Sequence, residues 1–140
     1  MENLIEHVST QLSLNINTFD IDAAGHVNNT VYVLWLEQLR TKLFEEYFGF
    51  RELFVKNYYP VVTSTEISYR RMLKLFDCPV GIMSVECCSH GIIMLNADIL
   101  LNEIVVASGK QRCVIVDLVT SKIIKGAQLR TILRPMVEQF

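Results

Sequence analysis

Hydrophobic side chains recur at helical spacing between residues 30 and 48, the most regular pattern in the chain. The positions on one face are Val31, Leu34, Trp35, Leu39, Leu43 and Tyr47. The positions that fall largely away from it are Glu37, Arg40, Thr41 and Glu45. This spacing predicts one long amphipathic helix. Asn28 is placed to cap its start, Val27 and Tyr32 to form a hydrophobic staple, and Gly49 to end it.

Alternating and β-branched positions predict strands on both sides of this helix. Residues 11–21 form the first predicted strand, and residues 51–58 a connection. Further strands are predicted over residues 61–75, 80–88, 92–101 and 104–116, with a hairpin turn at His90-Gly91. The tail, residues 125–140, predicts a short helix that breaks or bends at Pro135. The layout is α+β, one long helix with an antiparallel sheet able to wrap around it.

Length and composition narrow the class of protein. The 140 residues fit one domain, residues 1–140, with a single core. The balance of 13 basic and 15 acidic residues excludes a basic nucleic-acid surface, so we expect no nucleic-acid partner. No run of about 18 apolar residues and no signal-like N-terminus is present, so we expect a soluble, cytoplasmic protein without membrane insertion. A hydrophobic content of 51% indicates apolar surface covered by another subunit or a ligand.

The cysteines and histidines lack the spacing of a metal site. Cys78, Cys87, Cys88 and Cys113 form no C-x-x-C pair, and the three histidines are scattered. We therefore expect reduced core thiols, no metal and no cofactor. Motifs of serine hydrolases, nucleotide-binding proteins and zinc proteases are absent as well.

The candidate chemistry lies in residues 20–29, Asp-Ile-Asp-Ala-Ala-Gly-His-Val-Asn-Asn, directly before the long helix. A carboxylate, a glycine turn and two amide side chains meet there at the positive end of a helix dipole. Unpaired backbone N–H groups at such an end suit a negative charge that develops during a reaction. An acyl carbonyl under nucleophilic attack develops such a charge.

The string D-x-D-x-x-G-H-V-N-N-x-x-Y-x-x-W-x-E-x-x-R, followed by strands, resembles the hotdog-fold acyl-CoA thioesterases of the 4-hydroxybenzoyl-CoA thioesterase type. The layout is similar over most of the chain, and the specific part covers residues 19–40. His26 to Trp35 is also similar to fatty acyl-ACP thioesterases, although Ala24 stands where those enzymes carry an additional Asn. A single hotdog is also too short for their doubled architecture. After the next strand, Tyr69-Arg70-Arg71-Met72 and Phe76-Asp77 depart from the family's usual proline and Gly-Asp.

The resemblance implies an acyl-CoA thioesterase whose active site forms between two subunits of a homodimer or homotetramer. The predicted strand over residues 104–116 is long and apolar, and we expect it to help extend the sheet across such a dimer. Asp22 is then the nucleophile or general base, and a backbone N–H near Asn29 holds the thioester oxygen. His26 and Asn28 assist in positioning the substrate. Tyr32 and Trp35 border the acyl pocket. The basic residues Arg70, Arg71 and Lys74 bind the phosphates of coenzyme A.

Simpler interpretations of the same residues remain open. Asp20 and Asp22 are common turn and capping residues, and Tyr32 and Trp35 have the spacing of core aromatics. The basic cluster also fits an ordinary solvated strand end. Three other functions stay in view: an acyl-ACP thioesterase, a hotdog hydratase or dehydratase that uses Asp22 with His26, and a non-catalytic module that binds acyl thioesters.

Overall fold

The structure, a computed structural model, describes residues 8–137, with side chains as far as residue 133. The elements are β1 (Ser9–Ser13), α1 (Asn29–Tyr47), α2 (Phe50–Val55), β2 (Tyr58–Tyr69), β3 (Val80–Ser89), β4 (Ile92–Leu101), β5 (Ile104–Asp117), β6 (Lys122–Ile124) and α3 (Gly126–Val137). A 3-10 turn, Thr18–Asp20, lies between β1 and α1.

The described strands form one antiparallel sheet in the order β1-β3-β4-β5-β2, with β6 paired to β5. β5 pairs with β4 on one side and with β2 on the other, in a register that sets Ile67 opposite Gly109. We expected the strand over residues 104–116 to extend the sheet across a dimer. That expectation is wrong, because both sides of β5 are already paired. Among the described strands, β1 and β2 are the two ends of this strand order, and the short β6 pairs with β5 alone.

The long helix α1 packs its apolar face on the sheet. Leu39, Leu43 and Phe44 are fully buried at 0% exposure. Two strand glycines allow this close approach: a Cβ on Gly81 would lie 2.8 Å from Leu39 Cδ1, and one on Gly109 would lie 3.2 Å from Leu36 Cδ1. Each fully buried side chain of this size contributes about 1.5–3 kcal/mol. The predicted α+β hotdog architecture, one long central helix against an antiparallel sheet, is confirmed.

The boundaries of α1 agree with the prediction, but two side chains on it do not. Leu34 was placed on the buried face and is 58% exposed. Arg40 was placed away from it, yet its guanidinium donates to Gln111 Oε1 at 2.9 Å and pairs with Glu37. Gln111 is 2% exposed. The helix therefore carries a buried polar link to the sheet, where a cation is tolerated because it is paired.

Three short segments also differ from the prediction. β1 ends at Ser13 because Asn17 and Asp20 form a capping box that turns the chain. The predicted connection over residues 51–58 contains α2, which starts after Gly49 in the left-handed conformation (φ 60°). The third is α3, which continues through Pro135 to Val137, so the predicted break at this residue does not occur. Residues 138–140 of the predicted tail lie outside the described range.

The four cysteines are free thiols, as expected, but they are not all in the core. Cys113 is buried, Cys87 and Cys88 are half-buried, and Cys78 is exposed. The expectation of a core position is therefore wrong for Cys78, which follows the loop after β2. Among residues 8–137, no helix is long and apolar enough to cross a membrane.

Candidate active site

The loop that leads into α1 is held in shape by Asp20. This side chain is 8% exposed, and its Oδ2 accepts hydrogen bonds from the backbone N–H of Asn17 at 2.8 Å and from the Asn17 amide at 3.3 Å. Its carbonyl accepts the N–H of Asn28 at 2.8 Å. Asp20 therefore has the structural, capping role that the sequence also allowed.

Asp22 closes the next turn with one of its two carboxylate oxygens. Oδ1 accepts the backbone N–H of Ala24 at 2.9 Å and that of His26 at 3.2 Å. The turn is completed by the Gly25 N–H, which donates to the Asp22 carbonyl at 3.0 Å, with Gly25 at φ +83°. Oδ2 accepts no hydrogen bond from the residues that the structure describes. Asp22 is therefore both a turn residue and an exposed carboxylate with one oxygen uncommitted.

The first turn of α1 leaves one backbone donor unused. Asn28 is the N-cap, as predicted: its Oδ1 accepts the N–H of Thr30 at 3.0 Å and the Thr30 hydroxyl at 2.9 Å. The N–H of Val31 donates to the Asn28 carbonyl at 3.0 Å. The N–H of Asn29 has no acceptor within residues 8–137. Because the first N–H groups of a helix point along its axis toward the N-terminus, this donor lies at the positive end of the dipole.

Asp22 and the start of α1 line one cavity of about 490 Å³. The cavity wall contains Asp22, Ala24, His26, Val27, Asn28, Asn29, Tyr32, Tyr69, Arg70, Arg71 and Met72. Seven of the nine sequence-predicted site residues are therefore brought together. The other two, Trp35 and Lys74, are not part of this wall. Trp35 is 2% exposed behind Tyr32, and the exposed Lys74 belongs to the loop after β2.

Two guanidinium groups supply the positive charge of the cavity wall. The backbone N–H groups of Arg70 and Arg71 both donate to the Val106 carbonyl, at 2.8 and 3.1 Å, which fixes the chain at the end of β2. Neither side chain forms an ion pair or hydrogen bond with another described residue. Both arginines are exposed and have no acidic partner among the described side chains, so their guanidinium groups are available to an anionic ligand.

An aromatic pair, Tyr32 and Tyr69, contributes to the apolar part of the wall. The rings of Tyr32 and Tyr69 meet edge to face with centroids 5.0 Å apart, and Trp35 packs on Tyr32 at the same distance. The Tyr69 hydroxyl donates to the Asn29 carbonyl at 3.2 Å. Burial raises the pKa of Tyr32, to which Tyr69 adds, and burial also raises the pKa of Tyr69. Both hydroxyls therefore keep their protons at neutral pH.

Four cavity residues, Ala24, Val27, Tyr69 and Met72, were not identified from the sequence as site residues. Ala24 and Val27 lie within the predicted segment 20–29, whereas Tyr69 and Met72 lie outside it. The contact between Tyr69 and Asn29 spans 40 residues, so no local motif contains it. The available signal for Tyr69 and Met72 was their position beside Arg70 and Arg71 in the sequence. His26 lies in the loop before α1, where its backbone carbonyl and N–H both form hydrogen bonds with Asp22.

A group of three or more His, Cys, Asp or Glu side chains that could hold a metal does not occur in the described part of the chain. The chemistry available at this cavity therefore comes from one carboxylate, one free backbone N–H, a half-buried imidazole and two guanidinium groups. A carboxylate residue and a residue with an unused helix N–H in one cavity suit attack on a carbonyl, because the cavity then holds both an attacking group and a donor for the oxyanion.

Comparison with protein families identifies a match over most of the chain. Residues 16–131 match the family model of the thioesterase-like superfamily. Comparison with curated proteins gave no match.

Solved structures with the same fold are numerous. The probable thioesterase YbaW from Escherichia coli is 29% identical, with a TM-score of 0.79 over 94% of this chain and 99% of that one. The DHNA-CoA thioesterase from Staphylococcus aureus is 15% identical, with a TM-score of 0.80 over 93% and 87%. A thioesterase from Thermus thermophilus, complexed with coenzyme A and Zn, is 19% identical, with a TM-score of 0.75 over 89% and 96%.

Proposed function

The chain belongs to the thioesterase-like superfamily, and we propose that it hydrolyses acyl-coenzyme A to a free acid and coenzyme A. The prediction of a thioester hydrolase is confirmed by the superfamily. The assignment of the reaction to this cavity rests on one observation: Asp22, which has an uncommitted carboxylate oxygen, and Asn29, which has an unused N–H, line the same cavity. Those are the two groups that thioester hydrolysis requires.

Asp22 provides the attacking group in this proposal. Its free oxygen either attacks the thioester carbon to form an anhydride, which water then hydrolyses, or removes a proton from a water molecule that attacks. In both routes the bond between carbon and sulfur breaks, the acyl group gains a hydroxyl from water, and the sulfur leaves as a thiol. The hydrogen bonds from Ala24 and His26 to Oδ1 hold the carboxylate in place while Oδ2 reacts.

Asn29 provides the oxyanion donor. A single well-aimed donor of this kind contributes about 3 kcal/mol to the transition state. The capping side chain of Asn28 occupies the N–H of Thr30, so that Asn29 carries the available donor at this helix end. Asn28 therefore contributes by shaping the turn. We assign His26 the same supporting role, because both of its described hydrogen bonds are backbone contacts with Asp22.

Coenzyme A recognition is assigned to Arg70 and Arg71. Their guanidinium groups, which have no partner among the described side chains, match the phosphates of coenzyme A in charge and geometry. The Thermus thermophilus thioesterase of the same fold was crystallised with coenzyme A, which supports this ligand class for the fold. Lys74 lies farther along the same loop, and we assign it a weaker, long-range contribution. An acyl carrier protein would also present a phosphate, and substrate profiling separates the two carriers.

The acyl group is assigned to the aromatic side of the cavity. Tyr32 forms the wall, and Trp35 supports it from behind at a ring distance of 5.0 Å.

We further propose that the active unit is a homodimer or homotetramer. β2 supports this assembly, because it is a 12-residue open edge whose end carries Tyr69 into the cavity. A second subunit at this edge would cover exposed apolar side chains such as Val61.

A hydratase is the competing assignment, favoured by the His26 ring at the same wall. Release of thiol from a panel of acyl-CoA esters, measured in parallel with hydration of enoyl-CoA esters, separates the functions. We expect thiol release without hydration. Hydration without thiol release would establish the competitor, and binding without either reaction would establish a non-catalytic module.

A further inference from the structure

Tyr69 contacts the residue that carries the proposed oxyanion donor. Its hydroxyl donates to the carbonyl of Asn29, the same residue whose N–H is unused. We propose that Tyr69 is a positioning residue that fixes the orientation of the Asn29 N–H during thioester hydrolysis. This inference rests on the proposed function, and it adds a residue that lies outside the H-V-N-N segment.

The hydrogen bonds around Asn29 show why one contact has this effect. The peptide group before Asn29 is held through its carbonyl, on Asn28, which accepts the N–H of Val31 at 3.0 Å. The peptide group after Asn29 is held at both ends: the N–H of Thr30 donates to Asn28 Oδ1 at 3.0 Å, and the Asn29 carbonyl accepts the Tyr69 hydroxyl at 3.2 Å. Tyr69 is the contact in this set that comes from the sheet.

The ring of Tyr69 is itself held in place. It meets Tyr32 edge to face at 5.0 Å, and Tyr32 is 3% exposed and packed on Trp35. Tyr69 is also the last residue of β2, directly before the two N–H bonds that Arg70 and Arg71 make to Val106. The hydroxyl therefore joins a sheet edge to the start of α1, and its position is set by packed neighbours.

A preorganised donor accelerates a reaction because it does not have to reorient as charge develops. Without the Tyr69 hydroxyl, the first turn of α1 keeps its N-cap and its ring contact with residue 69 but loses the hydrogen bond that Tyr69 makes to the Asn29 carbonyl. Ground-state binding through Arg70 and Arg71 is unaffected by this loss. The effect should therefore appear in kcat and not in KM.

The test compares Tyr69→Phe with Tyr59→Phe on the same strand. Both tyrosines are partly exposed, at 42% and 38%, and the Tyr59 ring packs on Phe50 and Phe54, away from the cavity wall. Tyr69→Phe should lower kcat about fivefold, the effect of one hydrogen bond, with KM within about twofold of the wild type. Tyr59→Phe should leave both constants unchanged.

A spectroscopic measurement distinguishes positioning from a loss of folded protein. A ketone analogue of the substrate, with a methylene in place of the sulfur, binds without turnover. The infrared stretch of its carbonyl moves to lower frequency when a donor is aligned with the oxygen. We expect a smaller shift in Tyr69→Phe than in the wild type. An unchanged kcat, or a lower kcat that follows the folded fraction with an unchanged carbonyl stretch, would overturn the role of Tyr69.

The wild type and Asp22→Asn are measured in the same series. If the wild type releases no thiol, or if Asp22→Asn retains full turnover, the proposed function fails whatever Tyr69 does. If the wild type is active, Asp22→Asn is inactive and Tyr69→Phe equals the wild type, only the inference about Tyr69 fails.

Discussion

Asn28 offers a substitution that separates the stability of the fold from the chemistry. The Asn28 side chain caps α1 through Thr30, at 3.0 and 2.9 Å, beside the proposed oxyanion donor on Asn29. Asn28→Asp keeps an oxygen in the capping position and adds a negative charge. Asn28→Ala removes the cap without adding a charge. The two variants therefore change stability and rate in different ways.

The expected magnitudes follow from the position of the charge. Aspartate is as good an N-cap as asparagine, and its charge gains about 0.3–1 kcal/mol from the helix dipole, so Asn28→Asp should be as stable as the wild type or more stable. Asn28→Ala should lose about 1 kcal/mol. Two negative charges about 4 Å apart repel by about 1 kcal/mol in water and more in a protein. Because the cavity is open to water, the repulsion should stay near the value in water, and we expect kcat of Asn28→Asp to fall about tenfold.

Urea unfolding and thiol release with saturating acyl-CoA measure the two effects separately. Saturation removes the contribution of weaker binding, because a new carboxylate also repels the phosphates of coenzyme A. The loss of kcat should shrink as salt is raised, since ions screen the repulsion between exposed charges. If Asn28→Asp is fully folded and turns over at the wild-type rate at low salt, no oxyanion develops beside this helix end.

Two further predictions concern the cations and the cysteines. Arg70→Ala and Arg71→Ala should each raise KM for acyl-CoA several-fold with kcat unchanged. Lys74→Ala, which is outside the cavity wall, should change KM by less than about twofold in the same steady-state assay. Equal effects of all three substitutions would show that only net charge matters. Burial raises the pKa of the Cys113 thiol to about 12, so a thiol reagent at pH 8 should label the exposed Cys78 at once and Cys113 only after unfolding. Between pH 9 and about pH 12 the folded protein keeps the Cys113 proton and the unfolded chain loses it. The contribution of this thiol to the free energy of unfolding is therefore fully present below pH 9 and is lost as pH rises toward 12. Rapid labelling of Cys113 in the native protein would contradict both statements.

The parts of the fold that depend on local periodicity were predictable. The period of α1 and the capping chemistry of Asn28 are encoded in adjacent residues, so the helix and its start were correct. The position of β5 inside the sheet was not predictable, because strand order depends on contacts between distant segments. The six residues of α2 are too few for a helical period to emerge, and the left-handed Gly49 that precedes them also fits the end of α1.

The part of the candidate site that lies in one local segment was also predictable from the sequence. Asp22, His26, Asn28 and Asn29 lie within eight consecutive positions, so their proximity follows from the sequence itself. Tyr69 reaches this segment only because the sheet carries the end of β2 to the start of α1. The exclusion of Trp35 from the cavity wall has a similar cause: Tyr32 lies one turn closer to the helix start and covers it.

Turnover by Asp22→Asn most directly tests the claim that the Asp22 carboxylate drives thioester hydrolysis, because the variant removes the negative charge and keeps the turn. An asparagine Oδ1 can still accept the N–H groups of Ala24 and His26, so the loop should fold as before. Asp98→Asn, which changes a surface carboxylate bonded to Ser108, is the matched control. We predict that thiol release from acyl-CoA falls at least about 100-fold in Asp22→Asn and is unchanged in the control. Turnover within twofold of the wild type in folded Asp22→Asn would contradict the account.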